Sequence, residues 1–145
     1  MNIYLLDTNI ISEPSKPVQN NKVTDRIKKN IDFSCISSIT WAEILSGIKC
    51  LPKGAKREAL QSYYINQVQK VFEIIPFDTS AAAVYSDLVE RLKEKGTPAP
   101  KFDTLIAATA IADNLILVTR NTIGFKAISE VSPLMLENWF EEYSQ

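Results

Sequence analysis

The segment Ile3-Tyr4-Leu5-Leu6-Asp7-Thr8-Asn9 constrains the fold more than any other stretch of the chain. An apolar run of strand length ends on a carboxylate and then turns polar. A run without polar alternation is buried on both faces, the pattern of strands in parallel sheets with helices on each side. In open α/β sheets the chemistry gathers at the carboxyl ends of the strands. Asp7 therefore stands where a site would be. Whether it belongs to one depends on carboxylates delivered from elsewhere, and the candidates are Glu43 and Asp103.

The rest of the chain alternates between strand and helix patterns. Ile10-Ile11-Ser12-Glu13 is a short helical stretch stopped by Pro14, and Pro17 marks a loop. From about Asn20 to Asn30, Val23, Ile27 and Ile31 repeat at helical spacing. Phe33 to Ile36 is a second strand. Ser37-Ser38-Ile39-Thr40 then opens a helix whose Trp41, Ile44, Leu45 and Ile48 form one apolar stripe, with Glu43 off it. Lys49 through Lys56 is a loop, followed by an amphipathic helix from Lys56 to Val68 and a third strand from Val71 to Phe77. Asp78-Thr79-Ser80 caps a helix from Ala81 to Glu94, and Gly96 ends it. After the stiff connector Thr97 to Pro100 comes an alanine-dense helix from Phe102 to Asp113 and a fourth strand from Leu115 to Val118. A turn of helix near Phe125 to Ile128 and a short strand near Leu134 to Leu136 follow. Strands alternating with helices predict an α/β fold with a mostly parallel sheet of four or five strands. A length of 145 residues predicts a single domain over positions 1–145.

Composition narrows the chemistry. The chain has no histidine, which removes Ser-His-Asp and Cys-His nucleophilic catalysis and the commonest zinc ligand. Catalysis must then rest on carboxylates, hydroxyls, Lys or Arg, with a hard metal bound through oxygen. Sixteen basic and seventeen acidic residues leave a net charge of −1, so bulk charge does not make a tight binder of phosphate backbones. Cys35 and Cys50 form no disulfide framework or CxxC motif. No run approaches the roughly 20 apolar residues of a membrane span, and no basic leader precedes the first strand. A cytoplasmic protein is expected.

Each acid has an ordinary explanation on its own. Asp7 could cap the short helix after it. Thr40-Trp41-Ala42-Glu43 matches a capping box, with Glu43 reaching back to the cap. Asp103 lies in the first turn of its helix, where the dipole favours a negative charge. Together they are harder to explain, because a parallel sheet brings those junctions to one edge. Three carboxylates converging there repel one another unless a cation neutralises them. Mg²⁺ or Mn²⁺ suits such an all-oxygen set, activating water for attack on a phosphoryl group.

Four stretches resemble the signature blocks of PIN domains. They are Leu5-Leu6-Asp7-Thr8-Asn9-Ile10-Ile11-Ser12, Ile39 to Ile48 around Glu43, Asp103-Thr104-Leu105-Ile106-Ala107-Ala108-Thr109-Ala110, and Leu117-Val118-Thr119-Arg120-Asn121. Ser12-Glu13-Pro14 places the resemblance nearest to VapC-type toxins of the FitB-like branch. The resemblance implies a three-layer α/β/α sandwich and a Mg²⁺- or Mn²⁺-dependent endoribonuclease, the toxin of a toxin–antitoxin pair. By the same resemblance Asp7, Glu43 and Asp103 are the metal-binding and catalytic acids, assisted by Asn121. Thr8, Asn9 and Thr119 support the site. It also implies a homodimer, an antitoxin whose C-terminal segment lies in a groove beside the acids, DNA contact only through that antitoxin, and no membrane.

Two positions depart from the family pattern. Asn121 stands where many relatives carry a fourth acid, and Gly124 where many carry Asp in the same loop. Fewer charges imply that one metal is held better than two and that the free protein is weakly occupied. Lys49, Lys53, Lys56, Arg57, Lys95, Lys101 and Arg120 could track a substrate such as tRNA or another structured RNA, Lys101 and Arg120 being nearest the acids in sequence. Tyr63 and Tyr64 are assigned to packing or an interface. Small Ala107, Ala108 and Ala110 let their helix pack closely. Ile10, Ile11, Trp41 and Leu45 could line the groove or be core, with core the default for the last two. One rival reading is a weakly catalytic PIN-fold subunit acting through an antitoxin in a DNA-bound repressor complex. Another, a HAD-like phosphatase with Asp7 as nucleophile, lacks the second Asp it needs, because Asn9 stands there.

Overall fold

The computed structural model describes residues 1–141, and positions 142–145 of the expected domain lie outside them. Five strands, β1 (Tyr4–Leu6), β2 (Ser34–Ser37), β3 (Glu73–Ile75), β4 (Ile116–Val118) and β5 (Met135–Glu137), form one sheet in the order β3-β2-β1-β4-β5. Every pairing is parallel, with Leu5 opposite Cys35 on one side and Leu117 on the other. The first strand is thus the central one.

Successive side chains of a strand point to opposite faces, and the two leucines of β1 feed separate cores. Leu5 joins Cys35, Leu117 and residues of three helices, α5 (Thr79–Glu94), α6 (Lys101–Ala112) and α7 (Thr122–Glu130). Leu6 joins Ile36, Val118 and residues of α1 (Thr8–Ile11), α2 (Asn21–Lys29) and α3 (Ser38–Lys49). Helices on both faces of a parallel sheet make the three-layer α/β/α sandwich. Neither Leu5 nor Leu6 is exposed to solvent. At about 25 cal/mol per Å² of apolar surface, each contributes roughly 2 kcal/mol by burial.

The chain runs outward from β1 through β2 to β3, then crosses back to place β4 on the other side of β1. Connections leaving β1 and β4 therefore diverge at their carboxyl ends and open a crevice, the usual binding place in open α/β sheets. Asp7 and Thr119 sit on the two lips of that crevice.

Several local features differ from the sequence expectation. The helix from Lys56 is α4 (Ala55–Tyr63), continued by a π-helical segment, Tyr64–Gln69. The wider turn lets both adjacent tyrosines serve packing: Tyr64 is buried, and Tyr63 donates its hydroxyl to the Ile11 carbonyl at 2.7 Å. β2 starts at Ser34 because Ile31–Phe33 forms a 3₁₀ turn. β3 is only Glu73–Ile75, leaving Val71 exposed. The expected single turn at Phe125 is the nine-residue α7, begun earlier by an Asn121 cap. In α3 the apolar stripe divides. Ile44 and Ile48 are buried, Trp41 is partly buried, and Leu45 is 38% exposed, which corrects its assignment to the core. Ile10 and Ile11 are core residues and do not line a groove. Trp139, just after β5, closes the second core against Tyr4, with ring centroids 5.3 Å apart.

Candidate active site

Asp7 ends β1 and caps α1, and both carboxylate oxygens are engaged. Oδ1 accepts the Thr8 N–H at 2.9 Å, and Oδ2 accepts the Thr119 hydroxyl at 2.9 Å. Asn9 reaches the same pair, its Nδ2 lying 3.5 Å from Asp7 Oδ2 and 3.3 Å from Thr119 Oγ1. The Asn9 Oδ1 accepts the Arg120 N–H at 2.9 Å, and Thr119 Oγ1 accepts the Asn121 N–H at 3.0 Å. The ends of β1 and β4 are thus stitched by side chains where the main-chain ladder gives out. Thr119 is fully buried and Asp7 is 9% exposed. Asp7 thus caps α1 and bonds the end of β4 at the same time.

Glu43 is not a cap partner. Ser37 caps α3, its Oγ accepting the Thr40 N–H at 2.9 Å, so the helix begins three residues before the expected capping box. Thr40 is a buried interior residue whose hydroxyl has no partner among the described residues. Glu43 falls in the second turn, exposed at the rim of the crevice. Asp103 lies in the first turn of α6, which starts at the carboxyl edge of the sheet after Pro100 without a side-chain cap.

The three acids sense one another. Burial, the largest cause, raises the Asp7 pKa, against the lowering effect of the Thr119 and Thr8 hydrogen bonds. Desolvation raises Glu43, and the charges of Asp7 and Asp103 add to it. Asp103 is raised by desolvation and then by Asp7. No basic side chain is among the causes acting on any of them. A set of like charges drawn together without a countercharge fits a hard divalent cation in donor chemistry. Among the described residues no three such side chains close into a ready-made ligand cage. A hard ion that keeps part of its shell as water needs fewer protein ligands than a closed cage supplies. Asn121 caps α7, with its Oδ1 accepting the Gly124 N–H at 3.2 Å.

Comparison with known proteins decides the family. A family model described as PIN domain matches residues 4–131. The chain belongs to the PIN-domain family. This PIN domain is 36% identical to "Toxin FitB" of Neisseria gonorrhoeae over 86% of its own length and 92% of that protein. It is 30% identical to "tRNA(fMet)-specific endonuclease VapC" of Salmonella typhimurium over 94% and 97% of the two chains. Among solved structures, "Structure of FitAB bound to IR36 DNA fragment" aligns with a TM-score of 0.87 and 30% identity, covering 98% of this chain and 99% of that one.

One feature of the PIN domain was not read as functional from its sequence. Glu13 is 3% exposed, and its Oε2 accepts the Asn20 N–H at 2.8 Å. Lys16 Nζ lies 3.0 Å from Oε1 and forms an ion pair with it. Glu13 thereby ties down the loop between α1 and α2, and Ser-Glu-Pro was its only sequence signal. A groove of about 360 Å³ starts at Glu43 and runs between α3 and α4, lined by Thr8, Glu43, Ile44, Ile48, Lys56 and Tyr64. Leu45, Lys49 and Arg57 line a smaller neighbouring pocket. Lys56, Lys49 and Arg57 thus lie along the groove and pocket beside Glu43, while Lys101 stands two positions before Asp103 and Arg120 directly follows Thr119.

Proposed function

We propose that this PIN domain is a Mg²⁺- or Mn²⁺-dependent endoribonuclease, the toxin of a toxin–antitoxin pair, acting as one unit across positions 1–145. The observation that carries the reading is the trio Asp7, Glu43 and Asp103, drawn to one crevice, each raising or raised by another, with no basic group to neutralise them. These three acids would hold the cation. Bound there, it supplies a nucleophilic hydroxide and stabilises charge on the phosphoryl oxygens. The protein's own share is orientation. Thr119 donates to Asp7 and favours its ionised form, while Thr8 fixes the other oxygen through its N–H. Asn9 locks the β4 loop to the β1 loop. Glu43, the most open of the three, is the acid assigned to take the water's proton. Asn121 acts on the site by setting the start of α7.

RNA is the substrate class favoured by the names of the relatives, one of them a tRNA(fMet)-specific endonuclease. An antitoxin partner, with DNA contact through it, is favoured by the FitAB–DNA structure. The groove along α3 and α4 is the seat assigned to the antitoxin's C-terminal segment. A homodimer and a cytoplasmic setting complete the proposal.

The test is cleavage of total tRNA and structured RNA by purified antitoxin-free protein, in Mg²⁺, Mn²⁺ or EDTA, beside Asp7→Asn. Metal-dependent cleavage that Asp7→Asn loses supports the nuclease. Folded, metal-loaded protein that leaves a broad RNA set intact, yet still joins a DNA-bound antitoxin complex, supports the weakly catalytic alternative instead.

A further inference from the structure

Arg120 is held at both ends. Its N–H is bonded to Asn9 Oδ1 at 2.9 Å, one residue beyond the Thr119 that grips Asp7. Its guanidinium carbon sits 4.2 Å from the centroid of the Phe140 ring. A guanidinium that packs on a ring by its face leaves its edge, where all five N–H donors lie, open. No guanidinium hydrogen bond to another described residue accompanies the stack, and the residue is exposed.

The platform beneath it is fixed. Phe140 is partly buried, and its N–H donates to Asn138 Oδ1 at 3.0 Å. The preceding Trp139 is buried in the core against Tyr4. The Arg120 charge is felt by Glu13 but is not among the causes acting on Asp7, Glu43 or Asp103. It therefore does not serve to neutralise the acids. A protein of net charge −1 with an acid-lined crevice repels a polyanion, so a cation fixed at the rim has a specific use. A planar fork with its edge open matches a phosphodiester bidentately, which a lysine cannot do.

We infer that Arg120 clamps a backbone phosphate of the RNA next to the scissile one, and that Phe140 is the residue positioning it. The inference rests on the nuclease reading above and deepens it. Arg120 contacts substrate; Phe140 acts through Arg120.

The experiment measures binding of labelled tRNA by the full chain carrying Asp103→Asn to prevent cleavage, between 50 and 200 mM salt, with thermal melts of every variant as a fold check. Removing one phosphate contact lowers the slope of log affinity against log salt by about 0.7 to 0.9. Arg120→Ala in that background is expected to do so and to weaken binding ~10-fold. Phe140→Leu keeps the apolar volume without a π face and should weaken binding ~3-fold, whereas Phe140→Tyr should match the parent. With active protein, Arg120→Ala raises KM and leaves kcat nearly unchanged. An unchanged salt slope in Arg120→Ala, or Phe140→Tyr as impaired as Phe140→Leu, overturns the inference while wild-type cleavage still upholds the nuclease. Wild type that neither binds nor cleaves RNA overturns both.

Discussion

Asn121 and Gly124 are fitted to each other. Asn121 Oδ1 accepts the Gly124 N–H, and a Cβ on Gly124 would collide with the Asn121 amide, 2.8 Å from its Cγ. The two positions read from the sequence as lacking an acid are therefore coupled in the fold. Asn121 is spent on a helix cap, and in this rotamer its amide fills the space that a Cβ at position 124 would need.

That coupling predicts a change of sign. Asn121→Ala should cost about 1 kcal/mol, the usual worth of an N-cap. Gly124→Ala in wild type pushes the Asn121 amide aside and should also destabilise. In the Asn121→Ala background the obstacle is gone, and Gly124→Ala should stabilise by about 0.5 kcal/mol, the ordinary helix gain over glycine. Urea unfolding of the four proteins decides it; additive effects would show that the pair is not coupled.

The acid trio predicts a stability cost that a cation removes. Because the folded Asp103 pKa is raised, the native state binds more protons than the unfolded one, and stability falls as pH rises above the ordinary carboxylate range. Asp103→Asn should therefore melt higher than wild type in EDTA at pH 7, by on the order of 2 °C. The advantage should vanish towards pH 4. Excess Mn²⁺ should raise the wild-type melting temperature more than that of the variant. A variant advantage that persists at pH 4 would point to packing and not charge.

Glu13 predicts the opposite slope. Its pKa is lowered, first by the Asn20 N–H and also by Lys16 and Arg120, so its contribution is present at neutral pH and lost as pH falls through the folded value. Glu13→Ala leaves the Asn20 N–H without its acceptor and should cost about 2 kcal/mol at pH 7. The difference from wild type, read by denaturant titration, should shrink on acidification.

The two cysteines should differ in reactivity. Cys35 is fully buried, and burial together with Glu73 and Asp113 pushes its thiol up to about 12. Cys50 is exposed. A thiol reagent should label only Cys50 in native protein and both thiols in denaturant. Labelling of Cys35 at the same rate as Cys50 under native conditions would mean that β2 opens readily.

Much of this was legible because the signals are local. The apolar run into Asp7, the strand–helix alternation and the Val118-Thr119 junction each carry their meaning within a few residues. What was illegible depends on choices between near-equal neighbours or on distant partners. Ser37 and Thr40 are both competent caps, and only the end of β2 selects Ser37, which frees Glu43. Leu45 and Ile48 share a stripe, but the line of α4 buries only the latter. Trp139 and Phe140 follow the last strand with no periodicity to mark them, yet they close a core and support Arg120. Asn121 and Gly124 were each read as a missing acid because nothing in the sequence tells that one excludes a side chain on the other.

The central place of β1 has a consequence for biosynthesis. Asp7 and Thr119, which complete each other, are 112 positions apart, and β4 must be made before either lip of the crevice exists. Pairings this distant form late and slowly. A growing chain on the ribosome thus carries Asp7, Glu43 and Asp103 before the strand that completes their crevice is in place. A crevice built this way comes together only once β4 has been made, when most of the chain is finished.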